Sequence, residues 1–278
     1  MDLWYTEPQT KNLSISLRLK ESLFRGKSDY QDVLVAETYQ FGRALFLDNT
    51  VQTTEGDEFT YHEMMAHVPL HVHPNPKRVL IIGGGDGGTL REVVKHRSVE
   101  EAVLVDIDAM VMEVSRRFLP TLAVGLDHPR AKVLAADGIA YVKEHENAFD
   151  VILIDSTDPV GPAVGLFSPE FYQAVHRALT PNGIMVAQSE SPFVNQSVIR
   201  MVQSGTKQHF AKVALYLGPV PTYPTGSWSY TFASKGLDPL DVRENVALEG
   251  TTRFYSTAVH KAAFALPPFV QAITEDAK

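Results

Sequence analysis

The stretch Arg78-Val79-Leu80-Ile81-Ile82-Gly83-Gly84-Gly85-Asp86-Gly87-Gly88 decides how the rest of the chain is read. Its first half is a short apolar run, the pattern of a strand buried on both faces. Its second half matches G-x-G-x-x-G at Gly83, Gly85 and Gly88, and a helical segment follows to about His96. Glycines there permit a tight turn and let a ligand approach the backbone. A carboxylate suited to a ribose diol follows at the end of the next apolar run, Ala102–Asp106. The motif alone is weak, and a plain glycine-rich turn would also match it. Strand before, helix after and a correctly placed acid together predict a nucleotide site.

Outward from that stretch the rhythm is regular. Strands are expected at Lys132–Ala135, Phe149–Asp155, Gly183–Gln188, Val213–Leu217 and Trp228–Ser234. Helical segments separate most of them: Ala109–Phe118, Ile139–Lys143, Pro169–Leu179 and Val194–His209. Strands alternating with helices predict an α/β fold, a mostly parallel sheet covered on both faces, with the last two strands as an antiparallel edge. Residues 3–55 read instead as β, from the alternation in Leu13–Leu19 and from Gln31–Glu37, Arg43–Leu47 and Thr50–Thr54. The chain therefore divides into a small antiparallel β domain, 1–56, and a Rossmann-like domain, 57–278. A helix is expected over 57–70, closed by Pro69 and the Pro74/Pro76 pair.

Asp86 narrows the ligand. A dinucleotide brings its pyrophosphate to the helix N-terminus, where free N–H groups favour anions, and an acid in the loop opposes that. The carboxylate of S-adenosylmethionine is disfavoured in the same way. A nucleoside sulfonium ending in an ammonium, such as decarboxylated S-adenosylmethionine, suits Asp86.

Other acids fall at strand ends. Asp137, in Ala135-Ala136-Asp137-Gly138, is placed either to accept from an adenine amine or to cap the following helix. Phe149–Asp155 delivers Asp155 to its C-terminal end, where open α/β sheets bind ligands, and Asp158 follows in the loop. An alkylammonium has a pKa of about 10, so it must lose a proton to act as a nucleophile. A carboxylate within reach can take that proton. The bland alternative has Asp155 capping a strand and Asp158 opening a turn before Pro159. The loop Pro159–Gly165 has the length and composition of a lid that excludes water.

With 25 basic and 33 acidic residues, the net charge of −8 argues against phosphate-backbone binding. The absence of cysteine excludes disulfides, thiolate nucleophiles and Cys-ligated metals. The N-terminus shows no signal-peptide pattern and no apolar stretch approaches a membrane span, so a cytoplasmic protein is expected. His67 and His71 have a helical metal-ligand spacing, but Pro69 lies between them and no acid completes the set, so no metal is expected. Tyr61, His62 and Tyr223 are either packing residues or the walls of an amine pocket.

These residues resemble the polyamine aminopropyltransferases, specifically the spermidine synthases. The resemblance is carried by Gln52-Thr53-Thr54-Glu55-Gly56-Asp57-Glu58-Phe59-Thr60-Tyr61-His62-Glu63-Met64, Gly83–Gly88, Val105–Asp108, Asp137-Gly138, Asp155–Pro162 and His260–Pro267, over nearly the whole chain. It implies a methyltransferase-type Rossmann-like fold and transfer of the aminopropyl group of decarboxylated S-adenosylmethionine, a co-substrate rather than a resident cofactor, to putrescine. By position it implies that Gln31, Asp106, Asp137, Gly138 and Pro162 contact the nucleoside and that Asp86 holds the aminopropyl end. Tyr61, His62, Asp158, Gln188 and Tyr223 would line the amine site, and Asp155 would accept the proton. Position 106 is aspartate where many relatives carry glutamate, and position 62 varies. A homodimer or homotetramer is implied, with no nucleic acid or membrane partner. Three readings compete: a methyltransferase using intact S-adenosylmethionine, a nicotinamide oxidoreductase and a polyamine-binding protein.

Overall fold

A computed structural model of the chain describes residues 2–157 and 161–277, with the side chains of 161 and 162 excepted. Asp158, the first residues of the expected lid and the Pro162 side chain thus lie outside the described residues. Five strands, β1 (Leu3–Thr10), β2 (Leu13–Lys27), β3 (Asp32–Thr38), β4 (Arg43–Leu47) and β5 (Thr50–Thr54), form an antiparallel meander in chain order. The long strand β2 extends well past the alternating stretch Leu13–Leu19. Its register against β3 shifts twice, between Leu19 and Glu21 and between Ser22 and Phe24, and each bulge resets the period-two pattern.

The second sheet has seven strands: β6 (Arg78–Gly83), β7 (Glu101–Asp106), β8 (Ala131–Ala135), β9 (Phe149–Asp155), β10 (Leu179–Gln188), β11 (Lys212–Pro219) and β12 (Ser227–Ser234). Their order is β11-β12-β10-β9-β6-β7-β8. The five strands from β10 to β8 run parallel, and β12 and β11 add the antiparallel edge. Alternate strand residues feed two cores. Val79, Ile81, Leu104, Val151 and Leu153 face one side, and Leu80, Ile82, Val103, Val105, Ile152 and Ile154 the other. Fully burying such a side chain contributes about 1.5–3 kcal/mol. The chain winds outward from β6 through β7 to β8, then returns to β9 beside β6. The order therefore reverses between β6 and β9, and ligands of open α/β sheets bind at such a switch point.

The helices are α1 (Glu58–Val72), α2 (Gly88–Val94), α3 (Ala109–Phe118), α4 (Pro120–Ala123), α5 (Gly138–Lys143), α6 (Pro169–Ala178), α7 (Gln196–Lys207), α8 (Thr257–Ala263) and α9 (Pro268–Glu275). Helix α1 corrects the sequence reading, because Pro69 lies inside it and does not end it. Every residue from Thr60 to Val72 is buried, and this packing outweighs the hydrogen bond that proline cannot give. The Pro69 carbonyl accepts from the His73 amide, and the helix ends there. No helix among the described residues is long and apolar enough to cross a membrane.

Candidate active site

A cavity of 460 Å³ lies over the C-terminal ends of the parallel strands. The glycine loop, Asp106, Asp137, Gly138 and Asp155 line one side of it, and Gln31, just before β3, with Leu47, Thr50 and Gln52 of the five-stranded sheet, the other. A smaller pocket of 90 Å³ adjoins it, reaching Gln188, Asn195 and Trp228. Tyr61, Tyr223, Ser156 and Thr157 border both. Of the residues expected at the site, Gln31, Tyr61, His62, Asp86, Asp106, Asp137, Gly138, Asp155 and Tyr223 line the large cavity and Gln188 the small one.

The glycines are required by the neighbouring side chains as much as by any ligand. Gly83 pairs with Asp155 across β6 and β9, has φ +84°, and a Cβ there would stand 2.2 Å from the Asp155 carbonyl oxygen. At Gly88 a Cβ would fall 2.2 Å from the His62 ring. Asp86 Oδ1 accepts from the Gly88 amide at 2.6 Å. The seat at the N-terminus of α2 that a pyrophosphate would take is thus occupied by a carboxylate of the protein itself. His62 Nε2 lies 3.5 Å from the same oxygen.

Asp106 is gripped by backbone, Oδ2 accepting from Gly85 N at 2.9 Å and Oδ1 from Asp108 N at 2.8 Å. Burial pushes its pKa up to about 6, against the pull of those two amides. Asp155 is gripped by side chains: Tyr61 Oη donates to Oδ1 at 2.7 Å and Thr89 Oγ1 to Oδ2 at 2.6 Å. Burial and then the charge of Asp86 raise its pKa, while His62 and the two hydroxyls pull the other way. Asp137 does cap α5, Oδ1 accepting from Ile139 N at 2.8 Å, and it borders the cavity as well. Gln31 Nε2 donates to Asp108 Oδ2 at 2.9 Å, which ties one side to the other. The Tyr223 hydroxyl donates to the Gln52 carbonyl oxygen, and its ring lies 5.8 Å from that of Tyr61.

The arrangement brings three acids into one cleft: Asp106 held by backbone amides, Asp137 capping a helix and Asp155 oriented by two hydroxyls. A model of the spermine/spermidine synthase domain matches residues 58–242, and one of the spermidine synthase tetramerisation domain matches residues 3–55. The chain belongs to the spermine/spermidine synthase family. Polyamine aminopropyltransferase of Caldicellulosiruptor saccharolyticus is 52% identical over 99% of both chains. That of Bacillus subtilis is 48% identical, over 97% of this chain and 98% of the relative. A spermidine synthase solved in complex with the transition state analogue AdoDATO superposes with a TM-score of 0.96 at 45% identity, covering 98% of this chain and 95% of that one. Spermidine synthase from Thermotoga maritima gives a TM-score of 0.94, also at 45% identity, with 98% and 94% covered. The Rossmann-like fold with its small antiparallel sheet is that of these enzymes.

Sequence reasoning missed Thr89, Gln52, Asp108 and the pair Glu58–Arg91. Thr89 directly follows the glycine loop, and Gln52 and Glu58 stand inside the stretch that carried the resemblance. Their contacts cross from 33 to 171 positions of sequence, so no local spacing announces them.

Proposed function

We propose that this chain transfers the aminopropyl group of decarboxylated S-adenosylmethionine to putrescine, giving spermidine and methylthioadenosine. The observation that carries the reading is Asp86, which fills the anion seat of α2 and leaves the adjoining cavity suited to a cationic tail. In this reading Gln31, Asp106, Asp137, Gly138 and Pro162 contact the nucleoside, Asp106 through the ribose diol and Asp137 through the adenine amine, and Asp86 holds the aminopropyl end. Tyr61, Tyr223 and Gln188 line the smaller pocket, which would take the amine; His62, on the wall of the larger cavity, and Asp158, outside the described residues, are assigned to the amine by the resemblance.

Asp155 is the proton acceptor. Each of its two oxygens is fixed by one hydroxyl, Tyr61 or Thr89, and each keeps a second lone pair with which to accept from the amine. The raised pKa of this carboxylate brings it nearer that of the ammonium it must deprotonate, which favours the transfer. The freed amine nitrogen attacks the methylene carbon beside the sulfonium. The new C–N bond forms as the C–S bond breaks, and the electron pair returns to sulfur as a neutral thioether. Positioning of two bound substrates is the main contribution to rate. Decarboxylated S-adenosylmethionine is consumed as a co-substrate, and this scheme uses no resident cofactor or metal. The tetramerisation-domain match supports a homodimer or homotetramer. Small molecules are the partners in this reading, with neither nucleic acid nor membrane, and the cytoplasm is the compartment.

The test is turnover on an amine panel, with products identified by mass. Spermidine from putrescine and the decarboxylated donor is the expected product. Methylated product from intact S-adenosylmethionine, or no product at all, would overturn the assignment.

A further inference from the structure

Behind the cavity wall a chain of charges runs between α1 and α2. His62 Nδ1 meets Glu58 Oε2 at 2.6 Å, and the same oxygen accepts from Arg91 Nη2 at 2.7 Å. Arg91 Nε then donates to Glu92 Oε1 at 2.8 Å, and Lys95 Nζ meets Glu92 Oε2 at 2.7 Å. With Asp86 at the cavity end, the order is acid, imidazole, acid, guanidinium, acid, ammonium, and each charge is flanked by its opposite. Glu58, His62 and Glu92 are buried. Neither Glu58 nor Arg91 lines either cavity. The chain continues from Glu92 to His67 Nε2 at 3.0 Å and from His67 Nδ1 to His96 Nε2 at 2.7 Å. Pro69 does not separate His71 from this cluster: His71 Nδ1 meets the His67 carbonyl oxygen at 2.9 Å, and ligand nitrogens of His67, His71 and His96 lie within 4.8 Å of one another.

We propose that Glu58 and Arg91 are positioning residues of aminopropyl transfer: acting through His62, they hold Asp86 at one point under the glycine loop and set the charge that Asp155 faces. The inference rests on the roles given above to Asp86 and Asp155. His62 is squeezed between the Gly88 backbone on one side and Glu58 on the other, so its ring cannot swing away from Asp86. The groups facing it are Glu58 and Tyr61 from α1, Asp86 from the loop, Asp155 from β9 and, through Glu58, Arg91 from α2. Burial works against a charged ring, but Asp86 and Glu58 outweigh it and push the His62 pKa up to about 10. Glu58 in turn is held below the usual carboxylate range, burial being outweighed by His62 and Arg91. At neutral pH an imidazolium thus stands beside two acids that must both stay available to cationic ligands. It keeps Asp155 from being driven further toward the neutral form by Asp86.

Glu58→Gln tests this, because glutamine still accepts from His62 Nδ1 and removes only the charge. The His62 titration, followed by imidazole NMR without substrate, is expected to fall by about two pH units. His62 stays protonated through the acidic range even after that fall, so the change is expected in the alkaline limb of kcat/KM, which should begin at about pH 8 in the variant, about two units below the wild type. Arg91→Lys keeps a cation but breaks the fork between Glu58 and Glu92; it should raise the donor KM and leave the limb in place. A wild-type His62 that titrates at the ordinary imidazole value would overturn the proposal, even if Glu58→Gln fails to fold. So would a folded Glu58→Gln protein that loses rate equally at every pH with its alkaline limb unmoved. The NMR reading needs no turnover, so failure of the wild type to transfer aminopropyl groups would sink the activity and not this titration.

Discussion

Asp106 and Asp155 end the two strands that flank β6, and burial pushes both toward the neutral form, yet they are held in different ways. Asp106 is fixed by two backbone amides, Gly85 and Asp108, that belong to its own loop and to the glycine loop. Asp155 is fixed by two hydroxyls, Tyr61 and Thr89, from helices that pack on the sheet. A backbone cradle cannot be mutated away and cannot titrate, so it makes a permanent receptor. A side-chain cradle can be tuned by whatever lies behind it, here His62 and its charge chain. The difference matches the two tasks proposed for them: one acid to recognise a diol that does not change, the other to exchange a proton.

The largest effect should come at the tunable acid. Asp155→Asn is expected to lower kcat about 10³-fold while methylthioadenosine still binds, as calorimetry on the same protein would show. Equal losses of nucleoside affinity and turnover would erase the distinction between the two carboxylates. A smaller effect is expected at the backbone-held acid. A diol donates to the ionised carboxylate, so affinity is full above the Asp106 pKa of about 6 and falls as pH drops through it. Methylthioadenosine binding should therefore weaken about tenfold between pH 7 and pH 5. A flat profile would show that Asp106 is not the ribose acceptor.

The same contrast explains what could be read from the sequence. Backbone-held features are local: the strand Arg78–Ile82, the glycines, Asp106 and the helix Ala109–Phe118 all stand where their spacing placed them. Asp137 caps α5, one of its two readings, and borders the cavity that the other would need. Features made by packing were not legible. Helix α1 stands where it was expected, but the burial that carries it through Pro69 to Val72 could not be read from the sequence. The bulges of β2 broke its alternation halfway along. Helices α8 and α9 near the C-terminus drew no prediction, although Ser256 caps the first by accepting from Val259 N. Glu58 and Arg91 drew no reading of their own from the sequence, because only the packing of α1 on α2 shows what they face.

The central claim is that Asp86 makes the cavity a receptor for a sulfonium with a cationic tail. Calorimetry of decarboxylated against intact S-adenosylmethionine, on the wild type and on Asp86→Asn, tests it most directly. The wild type should prefer the decarboxylated ligand by at least about tenfold, the worth of one charge-assisted hydrogen bond, and Asp86→Asn should lose most of that preference. Equal affinities in the wild type, or a preference that survives the substitution intact, would contradict it.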